Sequence, residues 1–363
     1  MVQIDYVRFY VEDAQKFRDG FVGIFGFRSL GCCTDDRTHT EIIACGTIRF
    51  VLSSPLTPTS PIAAYLQQHP PGVADIALQV DDLDAAIDQV ISSGAKLLEP
   101  RQTRQSANGC LQWCQIAAWG SLRHTLIQRH GVTPLVPGEA LPNLPENLPE
   151  NSPFQAIDHV VLNVPAGKLR DAVRWYERVL GFAPKQQFTI ATDRSSLHSQ
   201  VMIHPQTGVQ FPINEPTSPN SQIQEFLDAN GGAGIQHLAL RTDGILETVS
   251  QLRSAGVPFL SVPPAYYQQL RQKPGFNLSD REFRDIADLQ ILVDWQDEHR
   301  PAILLQTFTK NIFPEPTFFF EIIERRAVWN RGKSYQAQGF GEGNFRALFE
   351  AVEREQMKRN SVG

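Results

Sequence analysis

Three residues could together perform metal chemistry: His159, His237 and Glu321, which stand 78 and 84 residues apart. Only a fold could gather them over such separations. Once gathered, two imidazoles and one carboxylate would fill one face of an octahedral metal site and leave three positions open. The case starts from Glu321. In TFFFEIIERR, residues 317 to 326, strand periodicity places Phe319, Glu321 and Ile323 on one face and Phe318, Phe320, Ile322 and Glu324 on the other. A carboxylate in that setting must take up a proton, meet a cation or bind a metal, because an isolated buried charge is too costly to keep. In IDHVV, His159 shares a face with Ile157 and Val161, and His237 shares one with Ile235 and Ala239. His198, His204 and His299 lie in polar or proline-flanked stretches and read as solvated surface residues.

The elements that carry these residues occur twice. QIDYVRFYVEDAQKFRDGFVGIFGF, from Gln3, echoes AIDHVVLNVPAGKLRDAVRWYERVLGF, from Ala156. Each reads as a strand, a turn and an amphipathic helix that stops at Gly-Phe. GVADIALQVDDLDAAIDQVISSGAKLLEP, from Gly72, echoes GIQHLALRTDGILETVSQLRSAGVPFLSVPP, from Gly234, with helix ends marked by Gly94 and Gly256. TLIQRH at Thr125 matches EIIERR at Glu321. Such repetition fixes the architecture before any single element does. Each half is expected to hold two β-α-β-β-β modules whose antiparallel strands curl around a shared concavity. The alignment sets Tyr6 against His159, Asp75 against His237 and Thr125 against Glu321. The scaffold recurs, but the three candidate ligands occur together only in the second half, which argues for a function there rather than a shared structural duty.

Between the halves, residues 131 to 153 carry six prolines and no apolar periodicity, the composition of an extended linker. The 363 residues are 20% charged and 42% hydrophobic with a net charge of −6, ordinary for a soluble globular chain. Lys and Arg form no long run, so neither nucleic acid nor an anionic membrane is an expected partner. No signal-peptide pattern opens the sequence and no apolar run is long enough to span a bilayer, so a cytoplasmic location is expected. The odd number of cysteines, Cys32, Cys33, Cys45, Cys110 and Cys114, reads as free thiols. Cys110 and Cys114 have no second pair to complete a zinc site. Near the C-terminus, Phe345, Leu348, Phe349 and Val352 form one apolar helical stripe after the glycine-rich GFGEG. That helix could close over a cavity as a lid or dock permanently. The AVWNRGKSYQAQ stretch before it reads as a surface loop.

Strand-borne His, His and Glu on a duplicated module resemble the vicinal oxygen chelate superfamily. Within it, NGGAGIQHLAL, LLQTF, FFFEIIERR and GFGEGNFRALFEAVEREQ resemble the 4-hydroxyphenylpyruvate dioxygenase family, over essentially the whole chain and most strongly over 154 to 357. The resemblance implies an α+β fold of two vicinal-oxygen-chelate domains, each of paired βαβββ modules forming a curved, open, antiparallel-rich barrel, with a C-terminal lid helix. Residues 1–130 would be a metal-free structural and oligomerisation domain, 131–153 a linker and 154–363 the catalytic domain. A homo-oligomer, dimer or tetramer, is expected.

The resemblance further implies Fe(II) held by His159, His237 and Glu321, and conversion of 4-hydroxyphenylpyruvate and O2 to homogentisate and CO2. That reaction serves tyrosine breakdown and, in photosynthetic organisms, tocopherol and prenylquinone supply. The matched substrate positions are Ser199, Asn214, Gln222, Gln306, Phe308, Phe319, Phe340, Asn344, Phe345 and Leu348, with Phe319 and Phe345 sandwiching the aromatic ring. Gln236 also matches, although strand alternation points its side chain away from that of His237. Two other readings fit the residues. One is a 4-hydroxymandelate synthase, which would hydroxylate the benzylic carbon of the same substrate; Pro212 and Asn214 in FPINE favour the homogentisate-forming pattern. The other is a non-catalytic small-molecule-binding module.

Overall fold

The structure, a computed structural model, describes residues 2–137, 152–192, 194–295, 302–330 and 333–362. Within these, some side chains at 329–334 and in the last helix lie outside the description, Phe345 and Leu348 among them, as does all of His299.

Each half runs strand, helix and three strands, twice over. The first comprises β1 (Val2–Tyr10), α1 (Ala14–Ile24), β2 (Arg28–Thr34), β3 (Thr38–Cys45), β4 (Ile48–Pro55), α2 (Pro61–Leu66), β5 (Gly72–Val80), α3 (Leu83–Ser92), β6 (Leu97–Ser106), β7 (Gly109–Ala117) and β8 (Arg123–Gly131). The second comprises β9 (Ala156–Asn163), α4 (Leu169–Leu180), β10 (Ala183–Ala191), β11 (Ser196–Ile203), β12 (Gln210–Pro216), α5 (Gln222–Ala229), β13 (Gly234–Arg241) and α6 (Ile245–Ser254). It continues through α7 (Pro264–Leu270), α8 (Asp280–Asp288), β14 (Leu292–Asp294), β15 (Leu304–Phe308) and β16 (Phe319–Arg325). A hairpin, β17 (Ala327–Asn330) with β18 (Lys333–Gln336), and the terminal helix α9 (Glu342–Val362) complete the chain.

The two eight-stranded sheets have the same order, β2-β3-β4-β1-β5-β8-β7-β6 and β10-β11-β12-β9-β13-β16-β15-β14, as the repeat requires. In each, two modules join through an antiparallel central pair, β1 with β5 and β9 with β13. Glycines stop the paired helices where the sequence places them: Gly26, Gly94, Gly181 and Gly256 all have positive φ. The helix starts differ between halves. Asp13 and Asp82 cap α1 and α3 locally. In the second half the capping carboxylate comes from a distant strand, Glu215 for Leu169 N–H of α4 and Glu324 for Ile245 N–H of α6.

The main core is shared between the halves. Phe318 and Phe320, on one face of β16, pack against Phe9 and Phe50 of the first half with ring centroids 5.3 and 5.9 Å apart. The other face of β16, which bears Phe319 and Glu321, is thereby turned into the second concavity.

Two expectations need correction. The AVWNRGKSYQAQ stretch contains the paired strands β17 and β18, with Val328 opposite Tyr335, because the backbone groups of 327–330 and 333–336 satisfy one another in an antiparallel ladder. The linker does not begin free at 131. Leu135 and Val136 are buried with Tyr6, Val51, Ala77 and Ile127, plugging the concavity of the first half. Residues 138–151 of the expected linker lie outside the described residues.

Candidate metal centre

His159 comes from β9, His237 from β13 and Glu321 from β16, three strands adjacent in the second sheet. The register puts Ala239 of β13 directly beside His159 on one side and Glu321 on the other. The side chains of residues so paired project from the same face. The methyl group of Ala239 therefore leaves room for the two larger side chains to converge above it. His159 Nε2 lies 3.3 Å and His237 Nε2 3.6 Å from the same Glu321 oxygen, Oε2. The three potential ligand atoms lie within 4.8 Å of one another, and all three residues are buried.

The electrostatics suit a cation. Burial would raise the Glu321 pKa, but the adjacent imidazoles, His159 foremost, outweigh it and hold the carboxyl at about 2. Burial likewise works against charge on His159, yet Glu321 and Asp158 beside it lift its pKa to about 9. Burial keeps His237 below the usual imidazole range, so it is neutral and has a lone pair to give. Without metal, a His159 proton supplies the cation that Glu321 needs; a metal ion would replace it. Two imidazoles and a carboxylate form a donor set for a divalent first-row transition metal, so the residues fit such an ion.

Behind the ligand atoms stands a layer of support. Asp158 accepts from His159 Nδ1 at 2.9 Å and is itself clamped by Arg325 through two contacts of 2.7 Å. A carboxylate on Nδ1 fixes the tautomer that presents Nε2 to a metal. Arg325 also donates to the carbonyls of Ala337 and Gly339, tying down the chain that leads to Phe340. The first half has the same device: Arg129 pairs with Asp5 at 2.7 and 3.0 Å and donates to the carbonyls of Pro134 and Leu135. There it secures the plug. In place of the ligands the first half has Thr125 donating to Asp75 through both backbone and hydroxyl, with Tyr6 buried beside them.

A cavity adjoins the ligands, lined by His159, Val161, Ile190, Leu197, Ser199, Pro212, Asn214, Gln222, Ile223, Gln236, His237, Phe319, Phe340 and Phe349. Of the expected substrate positions, Ser199, Asn214, Gln222, Gln236, Phe319 and Phe340 are thus brought together. Gln236 corrects the alternation argument. A β-bulge between Ile235 and His237 lets consecutive residues face one cavity. Phe319 stacks on the His237 ring at 4.8 Å, and Phe340 meets His159 edge-on at 5.0 Å.

Gln306, Phe308 and Asn344 do not line this cavity. Gln306 donates to Glu321 Oε1 and to the Phe340 carbonyl, and Phe308 packs with Leu260, Phe319 and Ala351. The side chains of Phe345 and Leu348 lie outside the described residues, so of the two rings expected to sandwich the substrate only Phe319 is placed, on the cavity wall. His198 is exposed beside Glu215, as expected. His204 is instead buried, its ring against Phe182.

Sequence reasoning missed Phe349, Leu197, Ile190 and Asp158. Phe349 was on the α9 stripe, Leu197 lies two residues before Ser199 on one strand face, and Asp158 recurs as Asp5. With α9 docked, the cavity has a volume of about 40 Å³. That is room for about three waters. A larger outer chamber of about 210 Å³ shares Gln222, Gln236 and Phe319 as a wall, and Lys310 and Glu355 of α9 pair at 2.9 Å on its lining.

Residues 156–285 match a family model described as the Glyoxalase/Bleomycin resistance protein/Dioxygenase superfamily, and residues 5–112 match a second one of the same description. Two matches to one superfamily, half a chain apart, agree with the duplicated sheets. Over 383 residues the chain is 35% identical to 4-hydroxyphenylpyruvate dioxygenase of Yarrowia lipolytica, spanning 99% of this chain and 93% of that one. Over 385 residues it is 36% identical to the same-named protein of Dictyostelium discoideum, spanning 100% of both. The chain belongs to the 4-hydroxyphenylpyruvate dioxygenase family. It is a dioxygenase-family enzyme built on two vicinal-oxygen-chelate domains. A solved triple mutant of 4-hydroxymandelate synthase from Streptomyces coelicolor has the same architecture, with a TM-score of 0.86 and 28% identity over 98% of each chain. All five cysteines are free thiols, and no described helix is long and apolar enough to cross a membrane.

Proposed function

We propose that this dioxygenase-family enzyme converts 4-hydroxyphenylpyruvate and O2 to homogentisate and CO2, using Fe(II) held by His159, His237 and Glu321. The observation that carries the reading is the buried, convergent His-His-Glu set opening onto a cavity walled by neutral amides, a hydroxyl and aromatic rings. When bound, Fe(II) supplies attachment of the 2-oxo acid and the activation of O2 that couples decarboxylation to ring oxidation.

The chain's own residues do the rest. Asp158 keeps the His159 proton on Nδ1 and so keeps Nε2 available. Ser199, Asn214, Gln222 and Gln236 offer hydrogen bonds to the phenol and the carboxylate without adding charge, which holds the substrate in one pose. Phe319 gives the aromatic ring an apolar face, and Phe340 with Phe349 closes the cavity from the C-terminal side and excludes water. A phenol ring with an oxo-acid arm exceeds the space left by the docked helix. In this reading α9 therefore moves to admit substrate and then returns as a lid.

The first half is proposed as the assembly domain of a cytoplasmic homo-oligomer. Among the described residues, five of the seven exposed large apolar side chains, Val22, Ile24, Leu56, Ile91 and Leu98, lie there; the other two, Tyr335 and Met357, lie in the second half. A second reading, 4-hydroxymandelate synthase, is kept by the structural likeness to that enzyme. It shares metal and substrate and differs in which carbon is oxidised. Product analysis separates the two: Fe(II)-loaded protein mixed anaerobically with 4-hydroxyphenylpyruvate and then exposed to O2 should yield homogentisate. Hydroxymandelate would transfer the assignment to the synthase. Ligand binding without O2 uptake would replace enzyme by binding module.

A further inference from the structure

Glu321 Oε1 is the end of a chain of hydrogen bonds that begins outside the cavity. Gln306 Nε2 donates to Oε1 at 2.8 Å and to the Phe340 carbonyl at 3.0 Å. Both of those partners can only accept, so Gln306 must turn its NH2 toward them and its Oε1 away. Asn344 Nδ2 fills that Oε1 at 2.9 Å, which turns Asn344 Oδ1 outward. The outward oxygen faces the Tyr266 hydroxyl at 2.9 Å, slightly nearer than the Val293 carbonyl at 3.0 Å, the other acceptor within reach of that single proton. The phenol oxygen in turn accepts from Val293 N–H at 2.7 Å. The amides in the chain have no freedom to flip: reversing Gln306 sets oxygen against oxygen at Glu321 and Phe340, and reversing Asn344 does so at Gln306 Oε1. Gly341 fits the same construction, since its φ of +72° is needed and a Cβ there would collide with the Gln306 amide oxygen.

From this polarity we infer that Tyr266 is a positioning residue for the metal centre: its phenol proton orients Asn344 and Gln306, and through them holds Glu321 Oε2 toward the two imidazoles. Tyr266 does not line the substrate cavity; it borders an outer groove with Gly343 and Asn344. Because Asn344 and the Phe340 carbonyl belong to the C-terminal segment, the same chain makes the pose of the carboxylate depend on docking of that segment. The metal centre is thus fully ordered only when α9 is in place. Packing alone would give Tyr266 no say in metal affinity.

The inference rests on Glu321 being a metal ligand, and the test separates the two claims. Co(II) is titrated into the full-length apoprotein under competition with a chelator, and its visible spectrum is recorded. Tyr266→Phe should weaken Co(II) binding by about 10-fold and change the spectrum, within the range found for residues that support ligands. Asn344→Leu should do the same, and Tyr266→Phe should cost nothing more in the Asn344→Leu background, because the chain is already cut. Affinity and spectrum unchanged in Tyr266→Phe, or equal and additive losses in the double variant, would overturn the relay. Should Tyr266→Phe not fold, wild-type affinity in Asn344→Leu would overturn it equally. Wild-type protein that binds no Co(II), or binds it undiminished in Glu321→Gln, would instead remove the metal centre itself.

Discussion

Asp158→Asn, compared with Asp5→Asn, separates what the aspartate-arginine clamp does for the fold from what it does for the metal. Both aspartates are buried against a buried arginine, with side-chain exposures of 0% and 8% for Asp5 and Arg129 and of 6% and 8% for Asp158 and Arg325. Both arginines also hold the segment that covers their half's concavity. Removing one partner of a buried pair costs about 3–5 kcal/mol, since the other charge is left behind. Asparagine keeps one carbonyl oxygen for the guanidinium, so both variants should fall near the lower end of that range. Urea unfolding should show the two losses to be similar.

Metal affinity should divide them. Only Asp158 touches a candidate ligand, through His159 Nδ1. Burial would raise its pKa, but Arg325 and His159 hold it well below the usual carboxylate range, so it is an anion at neutral pH. Its neutral replacement loses the charge that fixes the His159 tautomer, which typically costs 10–100-fold in metal affinity. Chelator competition with Fe(II) or Co(II) should thus show a loss of that size in Asp158→Asn and wild-type affinity in Asp5→Asn. Equal affinities in the two variants would refute the reasoning, because the clamp would then be scaffold in both halves.

Ala239→Leu should abolish metal binding, measured by metal content after dialysis, because the added side chain would rise between His159 and Glu321 on the flanking strands. Gly341→Ala should lower turnover by more than about 10-fold and stability by about 1–3 kcal/mol, as L side chains resist that φ and the new methyl displaces Gln306; thermal melts and steady-state rates check both. In metal-free protein the His159–Glu321 pair sets a pH window. His159 is raised from 6.5 to about 9, so its contribution is full below 6.5 and lost as pH rises through 9. Glu321 is lowered from 4.5 to about 2, so its contribution is full above 4.5 and lost as pH falls through 2. This pair's contribution should therefore be largest between pH 4.5 and 6.5, seen as the difference in melting temperature between wild type and Glu321→Gln; in metal-loaded protein, where the ion replaces the proton, the alkaline decline should vanish.

What could be read from the chain in advance was whatever depends on period and repetition. The face assignments in TFFFEIIERR hold because a regular strand leaves no choice: Phe318 and Phe320 meet the first half, while Phe319 lines the cavity and Glu321 meets the two imidazoles. The repeat aligned Thr125 with Glu321, and the parallel registers agree, Asp75 opposite Arg123 and His237 opposite Phe319. What failed were points where one residue departs from the period. A single bulge turned Gln236 into the cavity, and nothing in GIQHLAL announces a bulge, since it arises from how β13 meets β9. Gln306 lies outside the cavity for a different reason. Its residue type suits substrate contact, but its two donors and its acceptor are consumed by residues 15, 34 and 38 positions away.

The two halves also show how a ligand-free copy can keep the same frame. The clamp, the sheet order and the helix stops all recur, so none of them depends on a metal. In the first half Asp5 and Arg129 hold Leu135 and Val136 as a fixed apolar plug, and Thr125 satisfies Asp75 where a histidine would otherwise face a carboxylate. In the second half Asp158 and Arg325 hold a segment that continues into Phe340, Gly341 and the long helix α9, whose described contacts include polar ones. Glu353 accepts from Thr192 and Ser195, and Lys310 reaches Glu355. Polar contacts of this kind exchange with water at little net cost, whereas the buried Leu135 and Val136 would lose their burial outright. On the function proposed above, a covering helix held in that way would leave and return where a plug would not, and that difference would let one copy of the module serve as scaffold while the other admits a substrate.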